Sequence, residues 1–134
     1  MWIYYLLHFR VVSLICSHLE KNQGEVRIVA VEAPIDALSY YQLNPSNQLA
    51  VVSCGGCHVP DELLHQSYMR RQSFVVALDN DCAGERGWQK AWDDTADWAG
   101  FKISSDCPRL KDWNADLMSM RSAGQNHHMA LSHA

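Results

Sequence analysis

Residues 73–81 read SFVVALDND. The run from Ser73 to Leu78 is apolar and rich in β-branched residues, and it ends on two acids, Asp79 and Asp81. It is too short for a helix and fits a strand buried on both faces. The stretch 82–99 that follows has helical spacing and closes at Gly100, a residue free to take the left-handed conformation after a helix. The same unit recurs on either side. Upstream, VRIVAV (26–31) meets Glu32 and then Pro34, which ends a strand and opens a helical pattern over 35–43. After the break Asn44-Pro45-Ser46-Asn47 comes LAVVS (49–53), a CGGC turn (54–57) and a helix over 60–71 with Pro60 at its start. Downstream come FKIS (101–104), a loop over 108–114 and a short helix over 115–121. The order β-α-β-α-β-α-β, with continuous apolar strands, predicts an α/β fold of three layers. A four-stranded parallel sheet is covered by helices on both faces. Trp88, Trp92 and Trp98 fall in the long helical stretch, where packing against the sheet is their expected use.

The chain has 134 residues, of which 48% are hydrophobic and 19% charged, so it is a globular composition large enough for one core without disulfide staples. Collagen-like, coiled-coil and mucin-like chains are excluded. The formal net charge is −4, so bulk positive charge does not attract nucleic acid here; a local basic patch or bound cations are needed. Cysteines at 16, 54, 57, 82 and 107 are odd in number, which argues against a disulfide framework and for a reducing cytoplasm.

Residues 1–24 form an apolar extension to a domain over 25–121, and 122–134 read as a polar, frayed tail. The extension does not read as a membrane span, because His8 and Arg10 interrupt it and a central Arg costs roughly 2.5–3.5 kcal/mol on insertion scales. It lacks the basic start and the cleavage pattern of a signal peptide. Ile3, Leu7, Val11, Leu14 and Ile15 fall at helical spacing, as in an amphipathic helix that covers one face of a domain.

Ligands of open parallel sheets bind beyond the carboxyl ends of the strands, where strand order reverses. Glu32 ends the first strand, Asp79 and Asp81 end the third, and Asp112 stands in the loop after the fourth. Side chains two apart on an extended backbone share a face, so Asp79 and Asp81 can project together. Such hard oxygen donors suit Mg2+. Glu32 joins them only if the first and third strands are neighbours, which predicts strand order 2-1-3-4. A single acid at such a position is commonly a helix N-cap; four acids at one rim point to a metal site. Asp36 and Asp61 read as first-turn acids and no more.

Four segments then carry a family resemblance: VEAPIDALS (31–39), Ser53-x-Gly55-Gly56, ALDND-x-AG (77–84) and KDWN (111–114). Together, in this order, they resemble the Toprim domain, most closely the Toprim modules of plasmid and phage primases and mobilisation proteins. The resemblance runs from about Val26 to Leu117. It implies a Toprim, Rossmann-like fold that acts on phosphodiester bonds with Mg2+, or Mn2+ in its place. It assigns Glu32 a general acid/base or metal-linked role, and Asp79, Asp81 and Asp112 the metal. DNA or RNA, nucleotides and further replication or mobilisation domains are the partners it implies, with no membrane. Arg86, Lys90, Arg109 and Lys111 lie near the same rim and could meet phosphates, and Gly55-Gly56 could bring backbone to a phosphate or simply make a turn.

Other readings stay on the table. Cys54-Gly55-Gly56-Cys57-His58 matches the c-type haem attachment pattern, with Met118, Met120 or Met129 as a conceivable axial ligand, but a parallel sheet is an unexpected setting and no haem is expected. One C-x-x-C without a second pair is weak evidence for zinc. Within the Toprim reading, primase-type nucleotidyl transfer is preferred; nuclease-type hydrolysis and a catalytically idle interaction module, or a fragment of a larger primase, remain alternatives.

Overall fold

A computed structural model describes residues 25–131 of the chain, with side chains through residue 124. Four strands and four helices alternate: β1 (Arg27–Val31), α1 (Pro34–Leu43), β2 (Leu49–Ser53), α2 (Asp61–Met69), β3 (Ser73–Val76), α3 (Cys82–Thr95), β4 (Ile103–Ser105) and α4 (Trp113–Leu131). All strand pairs are parallel and the order is β2-β1-β3-β4, as the sequence predicts. Arg27 stands opposite both Leu49 and Ser73, which centres β1 in the sheet. β1 and β3 are therefore neighbours, and their carboxyl ends open on a shared rim.

Alternation along the strands fills both faces. Ile28, Ala30, Phe74, Val76 and Leu78 face α2 and α3 and pack with Leu64 and Ala91. Val29, Val31, Val75 and Ala77 face the other way and pack with Tyr40 of α1 and Trp113 of α4. The Trp113 indole N–H donates to the Ala77 carbonyl at 2.7 Å, and its ring meets Tyr40 edge-on at 4.7 Å. That buried pair pins the start of α4 beneath the end of β3.

Several boundaries differ from the sequence reading, mostly by one or two residues. α3 stops at Thr95, and Trp98 lies beyond it in a turn where its N–H donates to the Thr95 carbonyl at 3.0 Å. Gly100, at φ +77°, therefore closes that turn and not the helix. Trp98 packs among His65, Tyr68 and Phe101, with ring centroids 5.2–5.9 Å away. α4 begins at Trp113 and continues to Leu131, where a helix ending at Arg121 and a frayed tail were expected. Its later residues include no proline and several good helix formers, so nothing local stops it. β4 is displaced slightly, to Ile103–Ser105. The apolar extension over 1–24, and the helix expected within it, lie outside the described residues. No helix among the described residues is long and apolar enough to cross a membrane.

Candidate functional site

The rim is built by short backbone contacts between four segments. Glu32 leaves β1, and its carbonyl accepts from the amides of Gly55 and Gly56 at 2.9 and 3.1 Å and from the Ser53 hydroxyl at 3.1 Å. The β2 turn thus clamps the Glu32 backbone. Gly55 sits at φ +72° and Gly56 at φ +154°, which only glycine adopts without strain. Both amides are turned onto the Glu32 carbonyl, so Gly55-Gly56 makes a tight turn at the rim.

The Glu32 carboxylate in turn accepts from the Asp79 N–H through Oε1 at 3.3 Å. Two acids 47 residues apart in sequence are thereby brought side by side. Asp79 is fixed from the other side by α3. A Cβ on Gly84 would lie 2.1 Å from the Asp79 carbonyl oxygen, and one on Gly87 would lie 2.1 Å from the Cys57 carbonyl oxygen. The two glycines, one turn apart, let α3 press onto both rim segments.

Asp81 is the N-cap of α3. Its Oδ1 accepts from Ala83 N and Gly84 N at 2.8 and 2.9 Å. The capping role weighed for a single acid is real here, and it leaves Oδ2 free of these bonds. Asp112 likewise caps α4, accepting from Ala115 N at 2.7 Å. The Asn80 N–H donates to the Lys111 carbonyl at 2.8 Å, which ties the loop of Asp79–Asp81 to the loop of Lys111 and Asp112.

Charge at the rim is concentrated and poorly compensated. Burial pushes the Asp79 carboxyl up to about 6, and the negative charges of Glu32, Asp36, Asp112 and Asp81 add to the shift. Burial also raises Glu32, with Asp81 and Asp36 adding to it, against relief from the Asp79 N–H and Lys111. Asp81 is lowered, by the Gly84 N–H first, then by Ala83, Lys111 and Arg86. Asp79 Oδ1 is buried and makes no hydrogen bond, the one such side-chain atom among the described residues. A carboxylate oxygen so placed lacks the cation or donor it calls for.

Two acids matter more than their sequence positions suggest. Asp36 is no mere first-turn acid: it is 4% exposed, and its Oδ1 accepts from Asn114 N at 3.4 Å. Burial and the Asp112 charge raise it, and it links the start of α1 to the start of α4. Asp116, also 4% exposed, accepts from Arg109 N and Leu110 N at 2.9 and 2.8 Å and so holds the loop that carries Lys111 and Asp112. Both look like ordinary helix acids until α4 is packed against α1 and the loop. The E-x-x-x-D spacing of Glu32 and Asp36 was the available signal, since it spans one turn at the strand–helix junction.

The basic residues divide. Lys111 and Arg86 act electrostatically on the acids. Lys90 does not join them: it pairs with Asp94 at 2.6 Å along α3. Arg109 is exposed and lies 3.8 Å from Asp116. Cys54, packed against the apolar cluster, is pushed up to about 12 by burial, with the Glu32 charge adding to it, and so stays a neutral thiol.

Among the described residues no three His, Cys, Asp or Glu side chains stand close enough to share one ion. The donor set nonetheless fits Mg2+. Magnesium takes one or two carboxylates and completes its shell with waters and phosphate oxygens, and Asp79 Oδ1 is a buried oxygen without a partner.

Among solved structures, the fold resembles a chain in the structure of bacteriophage T7 lagging-strand DNA polymerase interacting with primase domains of two gp4 subunits bound to an RNA/DNA hybrid and dTTP. The TM-score is 0.50 at 20% identity, over 75% of this chain and 51% of that one. The likeness is one of fold, and this chain spans about half the length of that neighbour. No curated protein matches the sequence. The model of the Toprim-like family matches residues 29–117, a stretch that holds the parallel sheet from within β1 onward and all four rim acids. With most of its length matched, and with its acids gathered where β1 and β3 end side by side, the chain belongs to the Toprim-like family.

Proposed function

We propose that this chain is a Mg2+-dependent module of nucleic-acid metabolism that carries out primase-type nucleotidyl transfer, with phosphodiester hydrolysis as the alternative chemistry of the same rim. The observation that carries the reading is Asp79, half-buried, with a buried Oδ1 that makes no hydrogen bond, held beside Glu32 within a ring of acids. Asp79 and Glu32 would hold the ion, with the free oxygens of Asp81 and Asp112 facing it or its waters. Bound there, Mg2+ or Mn2+ would neutralise phosphate charge and orient the reacting oxygens.

The chain's own residues would do the rest. Glu32, whose proton affinity is raised by burial, suits a general base that takes the proton from an attacking hydroxyl at a carboxylate oxygen. Lys111 and Arg86 would meet non-bridging phosphate oxygens and offset the acids. Asp36 and Asp116 are positioning residues: the first aligns α1 with α4 and the second holds the Lys111 loop. The fold neighbour's structure contains primase domains bound to an RNA/DNA hybrid and dTTP, which supports transfer over hydrolysis. The chain spans about half of that neighbour's length, and further replication or mobilisation domains are its proposed partners.

Calorimetry with Mg2+ and Mn2+ tests the reading on the wild type and on an Asp79→Ala/Asp81→Ala variant. Saturable binding lost in the variant supports the carboxylate site, and primer-synthesis and nicking assays then separate the two chemistries. Absence of saturable binding in the wild type overturns the metal reading and leaves the fold as an interaction module.

A further inference from the structure

The sheet face that packs with Tyr40 is not covered evenly. α1 packs on β1 and β2, and α4 packs on α1, so the helices gather over one half of this face. Along β4 the face forms a groove of about 330 Å³. The strand registers fix its floor. Arg27 stands opposite Ser73, and Val75 opposite Ser104, so these four side chains point to the face that holds Val29 and Tyr40. Tyr40, 4% exposed, forms the wall. A strand face buried in a core reads apolar, yet Arg27, Ser73 and Ser104 stand on this floor.

The polar groups of the groove are unspent. Among the described residues the Arg27 guanidinium and the hydroxyls of Ser73, Ser104 and Ser105 make no hydrogen bond or ion pair. Lys102 adds a second cation at the same end, shared with Glu25 at 2.8 Å. The backbone contributes as well. The Phe74 N–H donates to the Lys102 carbonyl and the Asp106 N–H to the Val76 carbonyl, so along β4 the even-numbered residues bond to β3. The amides of Ile103 and Ser105 then face the outer edge, where no described strand pairs with them. The Arg27–Lys102 end is therefore rich in donors. Asp106 closes the other end: its Oδ2 accepts from the Tyr40 hydroxyl at 2.9 Å, and its Oδ1 from the Cys107 N–H at 2.9 Å. That end repels an anion and favours groups that donate.

We propose that this groove binds a small phosphate monoester with a hydroxyl-bearing body, the chemistry shared by sugar phosphates and nucleoside monophosphates. The phosphate, with a charge of about −1.5 to −2 near pH 7, sits between Arg27 and Lys102 and accepts from the serine hydroxyls. Hydroxyls of the body donate to Asp106 and rest against Tyr40. The span fits, since residues 102 to 106 rise about 13 Å along the strand. The volume is at the small end of ligand sites. The site uses none of the rim acids and calls for no metal.

The test is calorimetry on the full chain with a chelator present, using inorganic phosphate, ribose 5-phosphate and adenosine 5′-monophosphate as probes. Saturable binding of at least one ester is expected, at least tenfold tighter than that of inorganic phosphate. Arg27→Gln and Ser104→Leu should each weaken it at least tenfold, whereas Lys111→Gln, at the rim, should leave it unchanged. Arg27 and Ser104 are exposed, so both variants keep the core. The bound ester should also slow amide exchange at Ile103 and Ser105. Equal affinity for the two esters, or tighter binding of ribose 5-phosphate, supports the site and assigns it to sugar phosphates; a tenfold preference for adenosine 5′-monophosphate supports it and assigns it to nucleotides. Absence of saturable binding, or esters that bind no tighter than inorganic phosphate, would overturn the proposal. So would binding that survives Arg27→Gln and is lost in Lys111→Gln, which moves the anion to the rim.

Discussion

Replacing Asp79 by Asn should stabilise the metal-free protein. The carboxyl moves from 3.8 to about 6 on folding, by burial first and by the charges of Glu32, Asp36, Asp112 and Asp81 second. At 1.36 kcal/mol per pH unit, a shift of this size corresponds to about 3 kcal/mol for a fully buried group. Asp79 is only half-buried, so solvent screening reduces the expected effect to about 1–2 kcal/mol. The sign follows from linkage. Below about pH 4 the group is protonated in both folded and unfolded chains and contributes no difference. As pH rises towards 6 the unfolded chain ionises while the folded one resists, so stability falls, and the whole penalty stands above that pH. Asn carries no charge and escapes the penalty. Urea unfolding in the presence of a chelator, followed by tryptophan fluorescence, should show the variant more stable by about 1–2 kcal/mol at pH 7.5. In a chain of this size each kcal/mol corresponds to about 3–6 °C in Tm. The two proteins should converge near pH 4. Added Mg2+ at a hundred times its dissociation constant should raise the wild type by about 2.7 kcal/mol and leave the variant unmoved. A variant less stable than the wild type at pH 7.5, or a difference that does not change with pH, would refute the claim that this carboxylate is held against its charge.

Three further outcomes follow from the packing. Gly84→Ala places a methyl 2.1 Å from the Asp79 carbonyl oxygen, so calorimetric unfolding should show a loss of about 1–3 kcal/mol, and Mg2+ binding should weaken as Asp79 shifts. Asp116→Ala removes the acceptor of two backbone N–H groups in the 109–110 loop, with an expected loss of about 2–4 kcal/mol in urea unfolding and faster amide exchange over 109–112. Arg71→Gly should stabilise by up to about 1 kcal/mol, measured as a raised urea midpoint. Arg71 sits at φ +55° after α2, where Arg71 N bonds Tyr68 O and Gln72 N bonds Ser67 O in a Schellman turn that favours glycine.

The layered α/β architecture was legible in the amino-acid pattern, because strand runs such as VRIVAV and SFVVAL are short, β-branched and continuous, and their crossovers are helical. So was the strand order, through a chemical requirement: Glu32 and Asp79 can share a site only if β1 and β3 are neighbours, and they are. The Asp79–Asp81 pair and Asp112 were legible for the same reason, since strand ends and the loops after them converge on one rim. How those acids divide emerged from the packed fold. Asp81 and Asp112 cap helices, whereas Asp79 is left with a buried oxygen that nothing satisfies. The same packing turned the Gly55 and Gly56 amides onto Glu32, set Lys90 beside Asp94, and buried Asp36 and Asp116. Some of these facts depend on contacts between distant residues, such as Glu32 with Gly55 or Asp36 with Asn114, and the others on which hydrogen bond a side chain takes up in the folded loops; local spacing carries neither. The end of α4 went unread for the converse reason. Nothing local stops that helix at Arg121, and the polar composition of 122–131 resembles a tail as much as an exposed helical face.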